Sequence, residues 1–388
     1  MWRHIASNAL TVFIVGLFLI AGAIAWGGKQ YDGPGPLAEP ICLRVPSGSN
    51  MSSVSNNLEE QGAISSARIF RIGSDYAEKS TQLKAGSFLV PEKASMAEIV
   101  DIVTRGGQNT CGTEVVYRVG VNRTTVQVRE LDPVSGGFDQ VASFNPAEDA
   151  VPEEYTAVRD ESDTQYRVAI AEGVTSWQVV DALNQLDVLD GDILGVPPEG
   201  SLAPNSYSFT PGSPASDIVA KMIVDQARIL EDAWANRVEG LPLNSPEEAL
   251  ILASIIEKET AVADERRQVA SVFINRLNQG MRLQTDPTVI YGITRGEGVL
   301  GRGLRQSELR RRTDWNTYVI EGLPPTPIAN PGAEAIRAAL DPDSTEYIFF
   351  VADGTGGHAF ATNLDDHNRN VAVWRQIEAE RAEAAENN

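Results

Sequence analysis

The chain has 388 residues, of which 42% are hydrophobic, and this length allows two or three domains with more than one core. Its 32 Lys and Arg against 53 Asp and Glu give a formal net charge of -21, which argues against a nucleic-acid partner. The hydrophobic content is ordinary for a globular protein and excludes wholesale disorder. With two Cys and three His, none of them at ligand spacing, no metal site is expected.

The first predicted element is a membrane helix over residues 9–26. This segment runs for 18 residues without a charge, about the minimum that spans a bilayer as a helix. Arg3 precedes it, and Trp26 occupies the position of an interfacial aromatic residue. A cleaved signal peptide is the alternative, because residues 23–25 (Ala-Ile-Ala) resemble a cleavage site. The length favours an uncleaved anchor with residues 1–8 in the cytoplasm, and either interpretation sends the following residues out of the cytoplasm.

Cys42 and Cys111 are the only cysteines, and both follow the membrane segment. In an oxidising compartment an even pair suggests a disulfide. Such a bridge would close a loop of about 70 residues and stabilise the first soluble unit by roughly 2–4 kcal/mol. Two free buried thiols are the alternative.

The segment after the membrane helix has the pattern of small α/β modules. A Gly/Pro-rich linker is followed by two strand–turn–helix units that resemble each other, and between them lies a stretch rich in β-branched residues and in turn residues. The predicted elements are a strand over 41–45, a helix over 51–60, a strand over 84–90, a helix capped by Ser95, inserted β-hairpins within 114–163 with an acidic loop at 148–161, a strand over 166–170 and a helix over 176–186.

From residue 214 onward the sequence becomes mainly helical. Apolar residues recur at helical spacing, and Ser245 followed by Pro246 is typical of a helix start. The predicted elements are helices over 215–238, 246–260 and 265–278, a buried strand over 347–351, a return strand over 358–362 and a solvated helix end from 378.

The stretch 250–260, LILASIIEKET, ends an apolar run with two glutamates. On a helix, Glu259 continues the bulky stripe that includes Ile255, whereas Glu257 lies about 200° away on the face of the small residue Ser254. A carboxyl at the end of an apolar stripe is partly desolvated, which raises its pKa and suits a general acid near neutral pH. An amphipathic core helix with a solvated end explains the same pattern without catalysis.

Four further segments carry a resemblance to a known family. They are residues 253–292 (ASIIEKETAVADERRQVASVFINRLNQGMRLQTDPTVIYG), 315–318 (WNTY), 322–332 (GLPPTPIANPG) and 347–368 (YIFFVADGTGGHAFATNLDDHN). In order and spacing they resemble the YceG-like, or MltG, family of membrane-anchored endolytic murein transglycosylases. Upstream, residues 200–212 resemble a further family segment, with Asn205 where an aspartate is usual.

The resemblance implies an α+β fold class: an N-terminal transmembrane helix, LysM-like α/β modules with a β-rich insertion, and a C-terminal, mainly helical α+β catalytic domain. The implied domains are the cytoplasmic N-terminus 1–8, the transmembrane helix 9–26, the linker 27–40, a LysM-like module 41–110, the insertion 111–165, a second βα unit 166–213, a YceG-like catalytic domain 214–377 and the tail 378–388.

The resemblance also implies a reaction, namely cleavage of nascent peptidoglycan strands between N-acetylmuramic acid and N-acetylglucosamine that leaves a 1,6-anhydro end. One carboxyl protonates the leaving oxygen and then deprotonates the muramyl C6 hydroxyl, so the second carboxylate of a retaining glycosidase is not required. We predict Glu259 as this catalytic group. The predicted substrate-binding residues are Glu257, Ser254, Gln284, Thr285, Asp286, Asn316, Tyr318 and Asn330.

The resemblance implies no cofactor. The implied partners are peptidoglycan glycan strands and the inner membrane, with peptidoglycan synthases (penicillin-binding proteins) as candidate protein partners and the soluble domains in the periplasm. Two alternatives stay open at this point: a non-catalytic, membrane-tethered peptidoglycan-binding scaffold of the cell-wall synthesis machinery, and a hydrolase that leaves reducing muramic ends.

Overall fold

A computed structural model describes residues 2–105, 110–161 and 163–386. The chain divides into two compact units. The first comprises Met1–Val116, Val126–Phe144 and Glu148–Tyr166, and the second comprises Tyr117–Thr125, Asn145–Ala147 and Arg167–Asn388. The predicted second βα unit at 166–213 thus lies, apart from its first residue, in the same compact unit as the predicted catalytic domain. Residue 1 of the predicted N-terminus and residues 387–388 of the predicted tail lie outside the described residues.

The N-terminal part of the chain alternates helices and strands as predicted, with two additional helices, α3 and α5. Its elements are α1 (Trp2–Asp32), β1 (Ile41–Val45), α2 (Met51–Glu60), α3 (Ala67–Tyr76), β2 (Gly86–Val90), α4 (Met96–Thr104), β3 (Thr113–Val119), β4 (Thr124–Leu131), β5 (Phe138–Phe144) and α5 (Glu153–Arg159).

Helix α1 contains a segment, Thr11–Asp32, that is long and apolar enough to cross a membrane, with 22 residues and a mean hydropathy of 2.1. The predicted apolar N-terminal helix is therefore present. It is longer than the sequence predicted at both ends, because residues 2–8 are also helical and residues 27–32 are helical rather than part of a linker. The extension at the C-terminal end of α1 has a physical reason, because Tyr31 packs against the core of the first unit. Its ring lies so close to Gly73 of α3 that a Cβ on residue 73 would collide with it.

The core of the first unit forms around β1 and β2, which pair antiparallel with Ile41 opposite Val90. Helix α4 begins with the predicted capping box, in which Ser95 and Glu98 exchange side-chain-to-backbone hydrogen bonds. Cys42 and Cys111 form a disulfide with a Cα–Cα distance of 5.7 Å, as the even pair of cysteines suggests. The buried apolar residues at the centre of this core include Leu43, Leu58, Phe70, Val90 and Ile99.

The inserted region contains the predicted β-hairpin and one helix that was not predicted. Strands β4 and β5 pair antiparallel, with Val126 opposite Phe144. The prediction of an acidic loop at 148–161 is wrong for its centre, where α5 forms. Glu153 and Glu154 lie in the first turn of α5, where negative charge favours the helix dipole, and the ring of Tyr155 packs edge-on against Phe144 at 5.4 Å.

The C-terminal part of the chain is mainly helical, as predicted. Its elements are β6 (Gln165–Ile170), α6 (Ser176–Asn184), β7 (Ser206–Phe209), α7 (Ala215–Ala235), α8 (Pro246–Glu259), a 3-10 turn (Ala263–Glu265), α9 (Arg266–Asn278), α10 (Asp286–Thr294), α11 (Gln306–Arg310), α12 (Ala333–Leu340), β8 (Phe349–Ala352), β9 (His358–Ala361) and α13 (Leu364–Glu386). Within the second unit, β8 pairs antiparallel with β9.

Helix α8 is the central helix of the second unit. Ser245 caps its start and Pro246 occupies its first turn, which confirms the predicted start signal. The residues from Ile251 to Ile256 are all buried, so that α8 is covered on every side, and α7, α9, α10 and α12 pack against it. Its last turn is only partly buried, and this turn carries the two glutamates.

Candidate active site

The last turn of α8 sends its two glutamates into different surroundings, as the helical phase predicts. The carboxylate of Glu259 accepts a hydrogen bond from the hydroxyl of Thr285. The carboxylate of Glu257 accepts one from the backbone N–H of Gly332, at 2.9 Å. The two groups therefore do not act on one site as a carboxylate pair.

A ladder of buried threonines holds the hydroxyl that contacts Glu259. The backbone N–H of Thr285 donates to the hydroxyl of Thr317 at 3.0 Å, and the hydroxyls of Thr317 and Thr288 lie 2.8 Å apart. All three threonines are buried. Because each hydroxyl has a partner inside the protein, the orientation of Thr285 towards Glu259 is set before any ligand arrives.

Burial raises the pKa of Glu259, and the neighbouring charge of Asp286 raises it further. The hydrogen bond from Thr285 and the electrostatic interactions with His358 and Arg276 act in the opposite direction, and the net pKa is raised. Arg276 is itself buried, and its guanidinium donates to the carbonyl oxygens of Ile348 at 2.7 Å and Leu283 at 2.5 Å. A carboxyl in these surroundings can hold a proton closer to neutral pH than an exposed glutamate can.

His358 is fixed by Glu265 from two directions. Glu265 accepts hydrogen bonds from the backbone N–H of His358 at 3.0 Å and contacts its ring Nδ1 at 2.9 Å. Gly357 permits this approach, because a Cβ at that position would collide with the carboxylate of Glu265. Glu265 lies 93 residues from His358 in the chain, so no local sequence pattern points to this pair. Within the described ranges, no group of three or more His, Cys, Asp or Glu could hold a metal ion.

An open pocket of about 240 Å³ lies at Glu259. Pockets for drug-sized ligands are about 300–1,000 Å³, so this volume fits part of a larger substrate. Its wall consists of Glu259, Thr260 and Ala261 at the end of α8, Ala352, Gly354, Gly356, Gly357 and His358 of the β8–β9 hairpin, and Trp374 and Arg381 of α13. Sequence reasoning missed both residues: Trp374 was given no role within the predicted catalytic domain 214–377, and Arg381 was placed in the solvated tail 378–388.

Two of the predicted substrate-binding residues form a pair next to Glu259. The hydroxyl of Tyr318 donates to the carboxylate of Asp286 at 2.7 Å, and both side chains interact electrostatically with Glu259. Asp286 is exposed and Tyr318 half-buried. Gln284 is also exposed, and its backbone has a positive φ of 49°. These residues, together with Thr285, are brought together by the start of α10 and the loop at 315–318.

Asn316 lies inside the loop that carries Tyr318. Its side-chain N–H groups donate to the carbonyl oxygens of Glu308, Leu309 and Arg311 at 3.1, 3.1 and 2.7 Å, and its side-chain oxygen accepts from the N–H of Tyr318 at 3.0 Å. The side chain is fully buried. Asn316 thus uses its whole amide to shape this loop.

Asn330 is also fully buried, with its amide engaged by the protein. Its oxygen accepts from the backbone N–H of Leu202 at 3.0 Å, and its N–H donates to the carbonyl of Val174 at 3.0 Å. Ser254 is equally buried, and its hydroxyl donates to Ile251 at 2.7 Å and accepts from the N–H of Ile328 at 3.0 Å. Both side chains connect segments that are far apart in the sequence.

Glu257 lies at the start of α12, where Gly332 is the N-cap residue. The first N–H groups of a helix have no partner within it, and the carboxylate of Glu257 satisfies one of them. Burial raises the pKa of Glu257, the hydrogen bond from Gly332 opposes this effect, and the charge of Glu172 adds to it. Glu257 therefore connects the end of α8 to the start of α12, the helix that packs along it.

Comparison with known proteins gives the following matches. The model of the YceG-like family matches residues 43–373. The chain is 26% identical over 340 residues to an endolytic murein transglycosylase of Streptococcus pneumoniae serotype 2 (strain D39), covering 86% of this chain and 58% of that protein. It is 27% identical over 355 residues to an endolytic murein transglycosylase of Bacillus subtilis (strain 168), covering 90% of this chain and 89% of that protein. The crystal structure of a yceG-like protein of Listeria monocytogenes is 26% identical, with a TM-score of 0.45 over 85% of this chain and 99% of that chain.

Proposed function

This chain belongs to the YceG-like family, and from that premise we propose that it is an endolytic lytic transglycosylase of nascent peptidoglycan strands. The proposed bond is that between N-acetylmuramic acid and N-acetylglucosamine, and the proposed product carries a 1,6-anhydro end that terminates elongation. The names of the pneumococcal and Bacillus relatives support this class of reaction, although the chain spans only 58% of the length of the pneumococcal one. The observation that carries the proposal is Glu259, a single carboxyl with a raised pKa at the wall of an open pocket.

The proposed chemistry uses Glu259 twice. In its protonated form it donates a proton to the glycosidic oxygen, and the bond from that oxygen to the muramyl C1 breaks. The resulting carboxylate then takes the proton of the muramyl C6 hydroxyl, whose oxygen forms the new bond to C1. No water is consumed and Glu259 ends protonated, so no second carboxylate is needed as a nucleophile.

The surroundings of Glu259 suit a group that must both give and take a proton. Burial favours the protonated form, whereas Thr285, Arg276 and His358 favour the ionised form that follows proton donation. In this proposal Thr285 orients the carboxyl, and His358, held by Glu265, stabilises the carboxylate after the first step. The exposed Gln284 and the Asp286–Tyr318 pair are proposed to contact the saccharide.

We further propose that α1 anchors the chain in the inner membrane, with the soluble units in the periplasm. The spanning length of α1 supports an anchor, and the disulfide between Cys42 and Cys111 supports an oxidising compartment. The LysM-like character of residues 41–110 and an association with peptidoglycan synthases are part of the same proposal. They would bring the chain to newly made glycan strands.

The experiment compares Glu259→Gln with Glu257→Gln in the full-length protein, incubated with purified uncrosslinked glycan strands. An amide cannot transfer the proton, so Glu259→Gln should reduce the formation of anhydro ends by about 10²-fold or more. Glu257→Gln is the matched control, because its amide oxygen can still accept from Gly332. Mass spectrometry identifies the product, since an anhydro end is one water lighter than a reducing end.

The outcomes separate the alternatives. Activity of Glu259→Gln within about tenfold of the wild type would contradict the assignment, and a loss confined to Glu257→Gln would transfer the role to that residue. Reducing ends would indicate a hydrolase, and strand binding without any product would indicate a scaffold.

A stability measurement checks that Glu259→Gln is folded. The pKa of Glu259 is raised in the folded state, so this carboxyl contributes stability below its unfolded pKa and loses that contribution as the pH rises through its folded pKa. The amide does not ionise. At pH 7 the variant should therefore be at least as stable as the wild type.

A further inference from the structure

Helix α13 is held on the β8–β9 hairpin by two contacts, one in its first turn and one near its middle. The ring of His367 stacks on Phe349, with centroids 4.9 Å apart and an angle of 19°. Further along, Ile377 packs against the turn at Gly354, where a Cβ would lie only 2.8 Å from its side chain. Gly354 also has a φ of 88°, which favours glycine. The helix therefore has a defined position beside the pocket.

Two side chains of α13 extend from this position into the wall of the Glu259 pocket. Trp374 and Arg381 are seven residues apart, so they share one face of the helix. The guanidinium of Arg381 lies 5.9 Å from the centroid of the Trp374 ring and donates a hydrogen bond to the carbonyl of Gly354. An aromatic ring and a cation thus stand together in the wall of the pocket that contains the proposed catalytic carboxyl.

These two residues lie beyond the family match, which ends at residue 373. The rest of the pocket wall, from the end of α8 to the β8–β9 hairpin, lies within the match. The aromatic and cationic part of the wall is thus supplied by a segment that the family model does not cover.

The chemistry of the pair indicates what it would bind. The face of an indole ring packs well against the C–H groups on one side of a pyranose ring, and a guanidinium pairs with carboxylates. The protein carries a net charge of -21, which repels anionic ligands in general. Arg381 places a positive charge at this pocket, where it would attract an anionic group of a ligand. A glycan that carries carboxylates satisfies both requirements.

We propose that Trp374 and Arg381 form a saccharide subsite of this chain, in which Trp374 stacks on a sugar ring and Arg381 binds a carboxylate of the same strand. The inference rests on the proposed function and extends it to substrate recognition. The carboxylate has two sources: the peptide stems, or the lactyl group of muramic acid, which is a free carboxylate only when the stem has been removed.

The test uses full-length variants in detergent with three ligands: strands with stems, strands stripped of stems by an amidase, and neutral chitin oligosaccharides. Trp374→Ala should raise KM for both kinds of strand at least about fivefold, with kcat changed less than twofold, whereas Trp374→Phe should restore most of the binding. Val373→Ala is the control, because Val373 is 58% exposed on the same helix and does not line the pocket.

Arg381→Gln should raise KM only for the strands that carry the recognised carboxylate, and Arg381→Lys should retain part of the effect. A penalty on stemmed strands alone identifies the stem, and a penalty on stripped strands alone identifies the lactyl group. Neither variant of Arg381 should change the binding of neutral chitin oligosaccharides, whereas Trp374→Ala should weaken it.

Dissociation constants measured in the Glu259→Gln background provide a readout that does not depend on turnover. If the wild type forms anhydro ends but Trp374→Ala and Arg381→Gln leave KM and Kd within twofold on every ligand, the subsite is overturned and the function stands. If the wild type forms no anhydro ends but Trp374→Ala weakens strand binding, the function fails and the subsite stands.

Discussion

Replacing Asn330 with alanine tests whether this buried asparagine holds the fold or contacts a saccharide. The substitution removes the amide that accepts from the N–H of Leu202 and donates to the carbonyl of Val174, both at 3.0 Å. Leu202 and Val174 are themselves fully buried. The N–H of Leu202 would therefore lose its partner in a place that water does not reach, whereas the carbonyl of Val174 keeps the backbone N–H of residue 330 as a partner at 3.0 Å.

The expected loss of stability follows from the N–H of Leu202. Leaving one buried polar group without a partner costs about 1–3 kcal/mol, so we expect a decrease of about 1–3 kcal/mol in the free energy of unfolding. An exposed residue provides the comparison. Gln284→Ala should stay within about 0.5 kcal/mol of the wild type, because the side chain of Gln284 is solvated.

Urea unfolding of the full-length protein in detergent, followed by tryptophan fluorescence, measures the difference. The transition of the second unit should move to lower urea concentration for Asn330→Ala with an unchanged slope. If Asn330→Ala is instead as stable as the wild type and raises KM for glycan strands, then Asn330 contacts the saccharide and our reasoning from its burial is refuted.

The remaining predictions concern the proton and the disulfide. The rate should fall as the pH rises through the raised pKa of Glu259. His358→Gln removes an electrostatic interaction that lowers this pKa and should therefore move the fall in kcat/KM to higher pH. A shift to lower pH would contradict the proposed role. Thr285→Val removes the hydroxyl that donates to Glu259 and should lower kcat roughly tenfold in steady-state kinetics. Thr285→Ser keeps a hydroxyl and should leave kcat close to that of the wild type. The disulfide between Cys42 and Cys111 closes a loop of 69 residues, so its reduction should lower the free energy of unfolding of the first unit by about 4 kcal/mol in a urea titration. The yield of anhydro ends should stay unchanged. A loss of that yield together with the loss of stability would show that the second unit depends on the bridge.

Local features of the chain were predictable from the sequence because they depend on neighbouring residues. Ser95 and Ser245 cap the helices that their spacing indicated, since a cap requires only a polar side chain two or three residues from the N–H groups it satisfies. The different directions of Glu257 and Glu259 also follow from the helical repeat alone. The spanning length of the first helix is equally a property of one continuous segment.

What surrounds Glu259 was decided only by the tertiary structure. Asn330 and Ser254 are predicted as substrate-binding residues, yet both side chains are buried because distant segments close over them. Glu265 meets His358 across 93 residues, and Trp374 reaches the pocket only because α13 packs on the β8–β9 hairpin. The sequence by itself determined which carboxyl ends the apolar stripe of α8. Its partners, its burial and the far wall of its pocket come from packing between residues far apart in the chain, which no local pattern records.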